Sequence, residues 1–217
     1  MSLVKAVEAI AAEMEVDGRK LPPGSVLFTY AKILRGAVQA AEHEGGLYAL
    51  PHRGEEAAGI VTFNGKQMHV YKAQGLVSEV FREETLRQLP GRSAIGHTRY
   101  STTGGSVLKN VQPLLVNYAK GEIAVAHNGN LVNAYELKQE LEARGSIFQT
   151  TVDSEIILHL LAHAPEPVFE EALGGCLRKL QGAYSLIFLT QRELIGCRDP
   201  NGFKPLCIGK FKHTYVL

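Results

Sequence analysis

Three short stretches carry side chains whose chemistry goes beyond packing. In HTRYSTTGG (His97 to Gly105), Arg99 follows an apolar, strand-like run and precedes a cluster of hydroxyls and two glycines. A guanidinium held at a strand end presents a rigid fork of donors that suits a carboxylate. A salt-bridged structural arginine beside an ordinary Ser/Thr/Gly turn accounts for the same residues. In AVAHNGNLVN (Ala124 to Asn133), the side-chain amide of Asn128 and the backbone N–H of Gly129 can point at one spot. Such a donor pair is the hardware of an oxyanion hole, where each donor is worth about 100- to 1,000-fold in rate. A turn that uses Asn for left-handed geometry and Gly for clearance is the plainer account. In TTVDSEIILHLL, Asp153 stands where a helix begins, either as its N-cap or as an anion for an α-ammonium group. A cation, an anion and a donor pair together describe a free amino acid held for attack at a side-chain amide.

The elements that must position these groups follow from periodicity. Residues 2 to 16 place Leu3, Val4, Val7, Ile10, Ala11 and Met14 at helical spacing, and DGRKLPPG with Pro22 and Pro23 ends that pattern. A second helical pattern runs from Ser25 to about His43 and stops at Gly45–Gly46. From Ala58 the period shortens to β-type runs: AGIVTF and QMHVY around an Asn64–Gly65 turn, SAIGHTRY, EIAVAHN, AYSLIFLT, ELIGCR and KPLCIG, the last two joined by an Asp199–Gly202 turn. Helical patterns lie near Asn133 to Arg144, Asp153 to Ala164 and Val168 to Leu180. The first opens on Asn133 and Glu136 as a cap pair and closes before Gly145. The second buries Ile156, Ile157, Leu160 and Leu161. Strands in runs with helices gathered between them predict an α+β layered fold of two packed antiparallel sheets.

Composition narrows the function classes. Lys+Arg 23 against Asp+Glu 22 leaves a formal charge of +1, with no basic run to track a phosphate backbone, so no nucleic-acid partner is expected. No apolar run reaches the length of a membrane span, and Glu8, Glu13, Glu15 and Asp17 occupy the place of a signal-peptide core, which points to the cytoplasm. Cys176, Cys197 and Cys207 are odd in number, lack CxxC spacing and read as buried, reduced thiols. The eight histidines are scattered apart from His159 and His163, which stand at HxxxH spacing, and neither a metal nor a cofactor is expected.

From about Gly46 to Leu217 the chain resembles the glutaminase domain of the amidophosphoribosyltransferase family, through GLYALPHRGEEAAGI, GLVSEVFREETLRQLPG, AIGHTRYSTTGG, NVQPLL, AHNGNLVN, FQTTVDSE, LQGAYSL and RDPNGFKPL in one order. The resemblance implies an N-terminal-nucleophile hydrolase fold, a four-layer αββα sandwich over residues 46–217 behind a divergent helical segment, 1–45. It implies that Arg99 binds the α-carboxylate of glutamine, that Asp153 binds its α-amine and that Asn128 with Gly129 forms the oxyanion hole. It also implies that Arg53 and Gly54 shape the surroundings of the nucleophile. The implied partners are glutamine and a phosphoribosyltransferase domain or subunit, in a homo-oligomer.

In that family the nucleophile is a cysteine at the mature chain start, on a strand of the type CGVFGI. The matching position falls near Leu27 to Leu34, which reads LFTYAKIL, and the first cysteine of the sequence is Cys176. PHRGEE also replaces the usual QHRGQE, with Pro51 and Glu55 in the glutamine positions. Impaired amide hydrolysis is therefore expected, and a non-catalytic module that binds glutamine or a partner is the alternative. A hydroxyl at Ser25 or Thr29 is a weaker substitute, because both lie in a helical pattern.

Overall fold

The computed structural model describes residues 15–16, 19–20, 57–99, 107–211 and 214–217. In chain order these form strands β1 (Glu15–Val16), β2 (Arg19–Lys20), β3 (Ala57–Phe63) and β4 (Met68–Gln74), helices α1 (Val77–Val80) and α2 (Glu83–Leu86), and strand β5 (Ser93–Arg99). A 3-10 turn (Leu108–Asn110) leads to β6 (Leu114–Tyr118) and β7 (Gly121–Leu131). Helices α3 (Ala134–Ala143), α4 (Ser154–His163) and α5 (Phe169–Leu177) follow, then β8 (Gly182–Thr190), β9 (Leu194–Arg198), β10 (Gly209–Phe211) and β11 (Thr214–Val216).

Two antiparallel sheets, ordered β4-β3-β5 and β6-β7-β8-β9, face each other. Side-chain alternation with period two assigns each strand residue to one face. Val61 and Ile95 of the first sheet meet Ala124, Ala126, Ile187 and Leu189 of the second in the inner core. The opposite face of the first sheet, with Ala58, Ile60 and Ala94, is covered by Val77, Val80, Phe81, Leu86 and Leu89 in and around α1 and α2. The opposite face of the second, with Ile123, Val125, Tyr184, Leu186 and Phe188, is covered by α3, α4 and α5. The layers are thus helix, sheet, sheet, helix. The central strands β3, β7 and β8 are apolar on successive residues because both their faces are buried.

Helix α4 is the most deeply set, with Ile156, Ile157, Leu158, Leu160 and Leu161 all buried. The expected Ile156, Ile157, Leu160 and Leu161 face is found, along with the three central helices, the Asn64–Gly65 hairpin turn and the Asp199–Gly202 turn. The latter is held by the buried Asp199 carboxylate, which accepts the N–H groups of Asn201, Phe203 and Lys204 at 3.1, 2.9 and 3.0 Å.

Several expectations are corrected. Glu15–Val16 is a strand rather than the end of a helix, and it pairs with β10 and β2 in a small sheet ordered β11-β10-β1-β2. The remainder of the two N-terminal helical patterns lies outside the described residues. Asn133 stands at the start of α3 without capping it. Its side chain instead bridges to the chain before β8, donating to the Lys179 carbonyl at 2.8 Å and accepting the Gln181 N–H at 3.0 Å. Most of KPLCIG is not strand: Pro205 has no N–H to give a ladder, and its carbonyl accepts the Ser185 hydroxyl at 2.7 Å. The HNGN stretch is not a turn but the continuation of β7 to Leu131. Of the three thiols only Cys176 is buried, while Cys197 and Cys207 are half-buried.

Candidate functional site

The two sheets are joined at one end by a pair of histidines. His97 lies two residues beyond Ile95 on β5, so it shares the inner face, and its Nε2 is 3.1 Å from the carbonyl oxygen of His127 on β7. Burial pushes the His97 pKa down to about 4; the bond to the His127 carbonyl opposes that, and the charges of His127 and Arg99 add to it. The ring is therefore neutral near pH 7, with the Nε2 proton donated to the carbonyl. Arg99 follows two residues on, again on the inner face. Its Nη1 is buried and, among the described residues, has no hydrogen-bond partner.

Strand β7 then changes character. His127 and Leu131 are buried, whereas Asn128, Gly129 and Asn130 are exposed. Gly129 pairs with Tyr184 at φ +152, and a Cβ there would lie 2.1 Å from the Ala183 carbonyl oxygen, so only glycine fits. Alternate N–H groups of an antiparallel strand point to opposite edges. The His127 N–H is taken by Gln112 Oε1 at 2.7 Å and the Leu131 N–H by Asp153 Oδ2 at 2.9 Å. The Gly129 N–H lies between them on the same edge. Gln112 is itself set by Gly59 on β3, where a Cβ would stand 2.3 Å from the Gln112 carbonyl oxygen.

Asp153 occupies the residue before α4 but makes no cap bond with its side chain. Its Oδ1 lies 3.2 Å from His127 Nδ1 and 3.5 Å from Ser154 Oγ. Burial favours the neutral acid, yet the bond and charge of His127, with the Leu131 and Ser154 N–H groups, hold the carboxyl below its ordinary value. The loop before it is pinned from two sides. Asn110 exchanges bonds with Thr151, at 2.8 Å to Oγ1 and 3.1 Å from the N–H. Glu155 accepts the Gln149 and Thr150 N–H groups at 2.8 and 2.7 Å.

Asn128, Gly129 and Asp153 are thus gathered at one end of β7, and the histidine pair ties Arg99 on β5 to that end. Arg53, Gly54, Ser25, Thr29 and the STTGG segment lie outside the described residues. Sequence reasoning missed His97, His127, Gln112 and Asn110. A signal existed for the histidines, since each directly follows a buried run, His127 next to the candidate Asn128 and His97 two residues before Arg99. Cys176 and Cys197 belong to the core on the helix side of the second sheet, and burial pushes both thiols up to about 11. Among the described residues there is no group of three His, Cys, Asp or Glu that could hold a metal, and no helix long and apolar enough to cross a membrane. A fixed anion, a guanidinium with one buried nitrogen and strand-edge N–H groups together suit a small zwitterion with a polar side chain.

Comparison with known proteins shows the family. The chain is 53% identical over 167 residues to the amidophosphoribosyltransferase of Methanocaldococcus jannaschii, covering 76% of this chain and 36% of that protein. It is 53% identical over 173 residues to the chloroplastic amidophosphoribosyltransferase 2 of Arabidopsis thaliana, covering 79% and 31%. The solved structure of the glutamine phosphoribosylpyrophosphate amidotransferase of Bacillus subtilis, complexed with ADP and GMP, superposes with a TM-score of 0.73 at 45% identity, covering 78% of this chain and 37% of that one. The chain therefore spans about a third of the length of these relatives. The family model described as glutamine amidotransferase domain matches residues 97–217, more than half of the chain, and the chain belongs to that family.

Proposed function

We propose that this chain is the glutamine-handling domain of an amidophosphoribosyltransferase of purine biosynthesis, and that it binds free glutamine but hydrolyses it poorly or not at all. Arg99 takes the α-carboxylate, Asp153 the α-ammonium, and Asn128 with the Gly129 N–H faces the side-chain carbonyl, while Arg53 and Gly54 shape the neighbouring wall. The observation that carries the reading is the buried Arg99 Nη1, which has no partner among the described residues and lies two positions beyond the histidine latch to β7. A buried guanidinium nitrogen without a partner is costly, and a ligand carboxylate removes that cost.

Hydrolysis to glutamate and ammonia needs a nucleophile at the amide carbon. No cysteine precedes Cys176 in the sequence, and Cys176 sits in α5 among apolar side chains with a raised pKa. That observation favours a second reading, a non-catalytic module that senses glutamine for a partner. Under either reading the domain works in the cytoplasm, beside a phosphoribosyltransferase domain or subunit and within a homo-oligomer, which would receive any ammonia released.

The test is calorimetric titration of the purified chain with glutamine, alongside an assay for ammonia. Binding that is lost in Arg99→Ala and in Asp153→Ala, with little ammonia released, is the expected result. Unchanged binding in both variants would remove the pocket assignment. Robust turnover abolished by Thr29→Ala or Ser25→Ala would replace the impaired-enzyme reading with a hydroxyl nucleophile.

A further inference from the structure

We infer that His127 is the positioning residue that fixes the Asp153 carboxylate for an α-ammonium group, an inference that rests on the role given to Asp153 above. The carboxylate is gripped at both oxygens. Oδ2 accepts the Leu131 N–H at 2.9 Å, while Oδ1 faces His127 Nδ1 at 3.2 Å and Ser154 Oγ at 3.5 Å. The terminal torsion of an aspartate is broad and roughly two-fold, so a single grip leaves the carboxylate plane free to turn. Two donors from one strand, on different oxygens, fix that plane. A carboxylate offers about four lone-pair sites. Leu131, His127 and Ser154 direct the carboxylate from the protein side, and a side chain still 22% exposed leaves it open to a ligand.

His127 can impose this because it is itself held. Its N–H is given to Gln112 Oε1, its carbonyl receives His97 Nε2, and its Nδ1 also reaches Ser154 Oγ at 3.1 Å, with the side chain only 1% exposed. Its Nε2 is buried and has no partner among the described residues, so Nδ1 carries all the polar work of the ring. The tautomer with the proton on Nδ1 donates to Asp153, which assigns the proton from the partners around the ring. Selection for an amino acid over its des-amino analogue is then set by a residue that does not touch the ligand.

The experiment uses the full chain, titrated by calorimetry with glutamine and with 4-carbamoylbutanoate, which is glutamine without its α-amino group. The readout is the ratio of the two dissociation constants; both ligands are measured on one preparation, so any unfolded fraction cancels. H127L keeps volume and removes the donor, and the ratio is expected to fall about tenfold or more, the scale of a charge-assisted hydrogen bond. H127N carries an amide nitrogen near the Nδ1 position, and the ratio is expected to recover towards the wild-type value. If H127L does not fold, H127Q takes its place with the same expected loss, because its nitrogen reaches nearer the Nε2 position. A wild-type ratio in the donor-free variant, with D153N losing discrimination, overturns the inference and leaves the role of Asp153 standing. So does an H127N no better than H127L, which would reduce His127 to a space-filler. A wild-type chain that does not distinguish the two ligands removes the role of Asp153, and the inference with it.

Discussion

His97 Nε2 meets the carbonyl oxygen of His127 across 3.1 Å, and through that contact the end of β5 is registered on the end of β7. One sheet supplies the guanidinium and the other the strand edge, so the contact sets their separation. Its donor is a half-buried, neutral ring, with a pKa near 4 where the unfolded ring has 6.5. Between those values the unfolded chain binds more protons than the folded one, so stability rises with pH across the window and is lost as pH falls through it. At full extent the loss is about 3 kcal/mol. His159, also lowered by burial, adds in the same direction, whereas Asp153 and Asp199 act only at lower pH, below their unfolded value of 3.8. His97→Gln keeps a donor near the Nε2 position and does not titrate. Its melting temperature should fall less than that of the wild type between pH 7 and pH 4.5. Parallel falls would assign the titration to another group.

Gly129→Ala should be among the most damaging single changes in the chain. The added methyl would stand 2.1 Å from the Ala183 carbonyl oxygen and 2.7 Å from the Tyr184 Cα, both backbone atoms of β8, at a φ of +152. Neither neighbour can swing aside as a side chain would, so β7 and β8 must part. Strain and overpacking of this kind together cost about 2 to 5 kcal/mol. A urea titration should show a lower midpoint with an unchanged slope, and glutamine binding should be lost with the Gly129 N–H displaced. A midpoint within error of the wild type would mean that the strand edge is not as drawn.

Most strands of the two sheets were legible because runs such as AGIVTF and AYSLIFLT are apolar throughout, though β6 was not read, and helix α4 was legible because its isoleucines and leucines recur at helical spacing. What escaped was set by tertiary partners. Asn133 has the residue type and spacing of a cap, but the Lys179 carbonyl and Gln181 N–H compete for its amide and win. The extension of β7 through HNGN was hidden because a local reading gives Asn-Gly to a turn, while nine successive pairings with β8 keep the chain extended. Arg99 and Asp153 each stand at a secondary-structure boundary visible in the sequence, whereas Asn128 and Gly129 lie inside β7. His97 and His127 are thirty residues apart on different sheets, and only their packing brings them together.

Arg99→Met should separate binding from stability. The Nη1 atom is buried without a partner among the described residues, so replacing the guanidinium by an apolar chain of similar length removes an uncompensated buried nitrogen. The unfolding free energy should stay within about 1 kcal/mol of the wild type. Glutamine affinity should drop by about tenfold or more, the loss expected when a charged hydrogen-bonding partner is removed. Arg99→Lys should fall short of the wild type as well, since an ammonium cannot reproduce the two-pronged grip on a carboxylate. A marked destabilisation in Arg99→Met would instead identify a structural arginine, the plainer account of HTRYSTTGG.

The thiols offer a last discrimination. Cys176 is 2% exposed in α5 and its thiol is pushed up to about 11, first by burial and then by the charge of Glu166, against the opposing effects of Lys179 and Lys120. Cys197 is also raised to about 11 by burial, though it is half-buried. The thiolate is the reactive form, so iodoacetamide at pH 7 should label both slowly, as resolved by peptide mass spectrometry. Glutamine should not alter either rate, because both side chains pack on the helix side of the second sheet while Arg99 lies on the inner face of the first. Fast labelling of Cys176 or Cys197, with protection by glutamine, would place a displaced nucleophile within reach of the amide. The chain would then be an active amidotransferase using a cysteine from a different element of the fold.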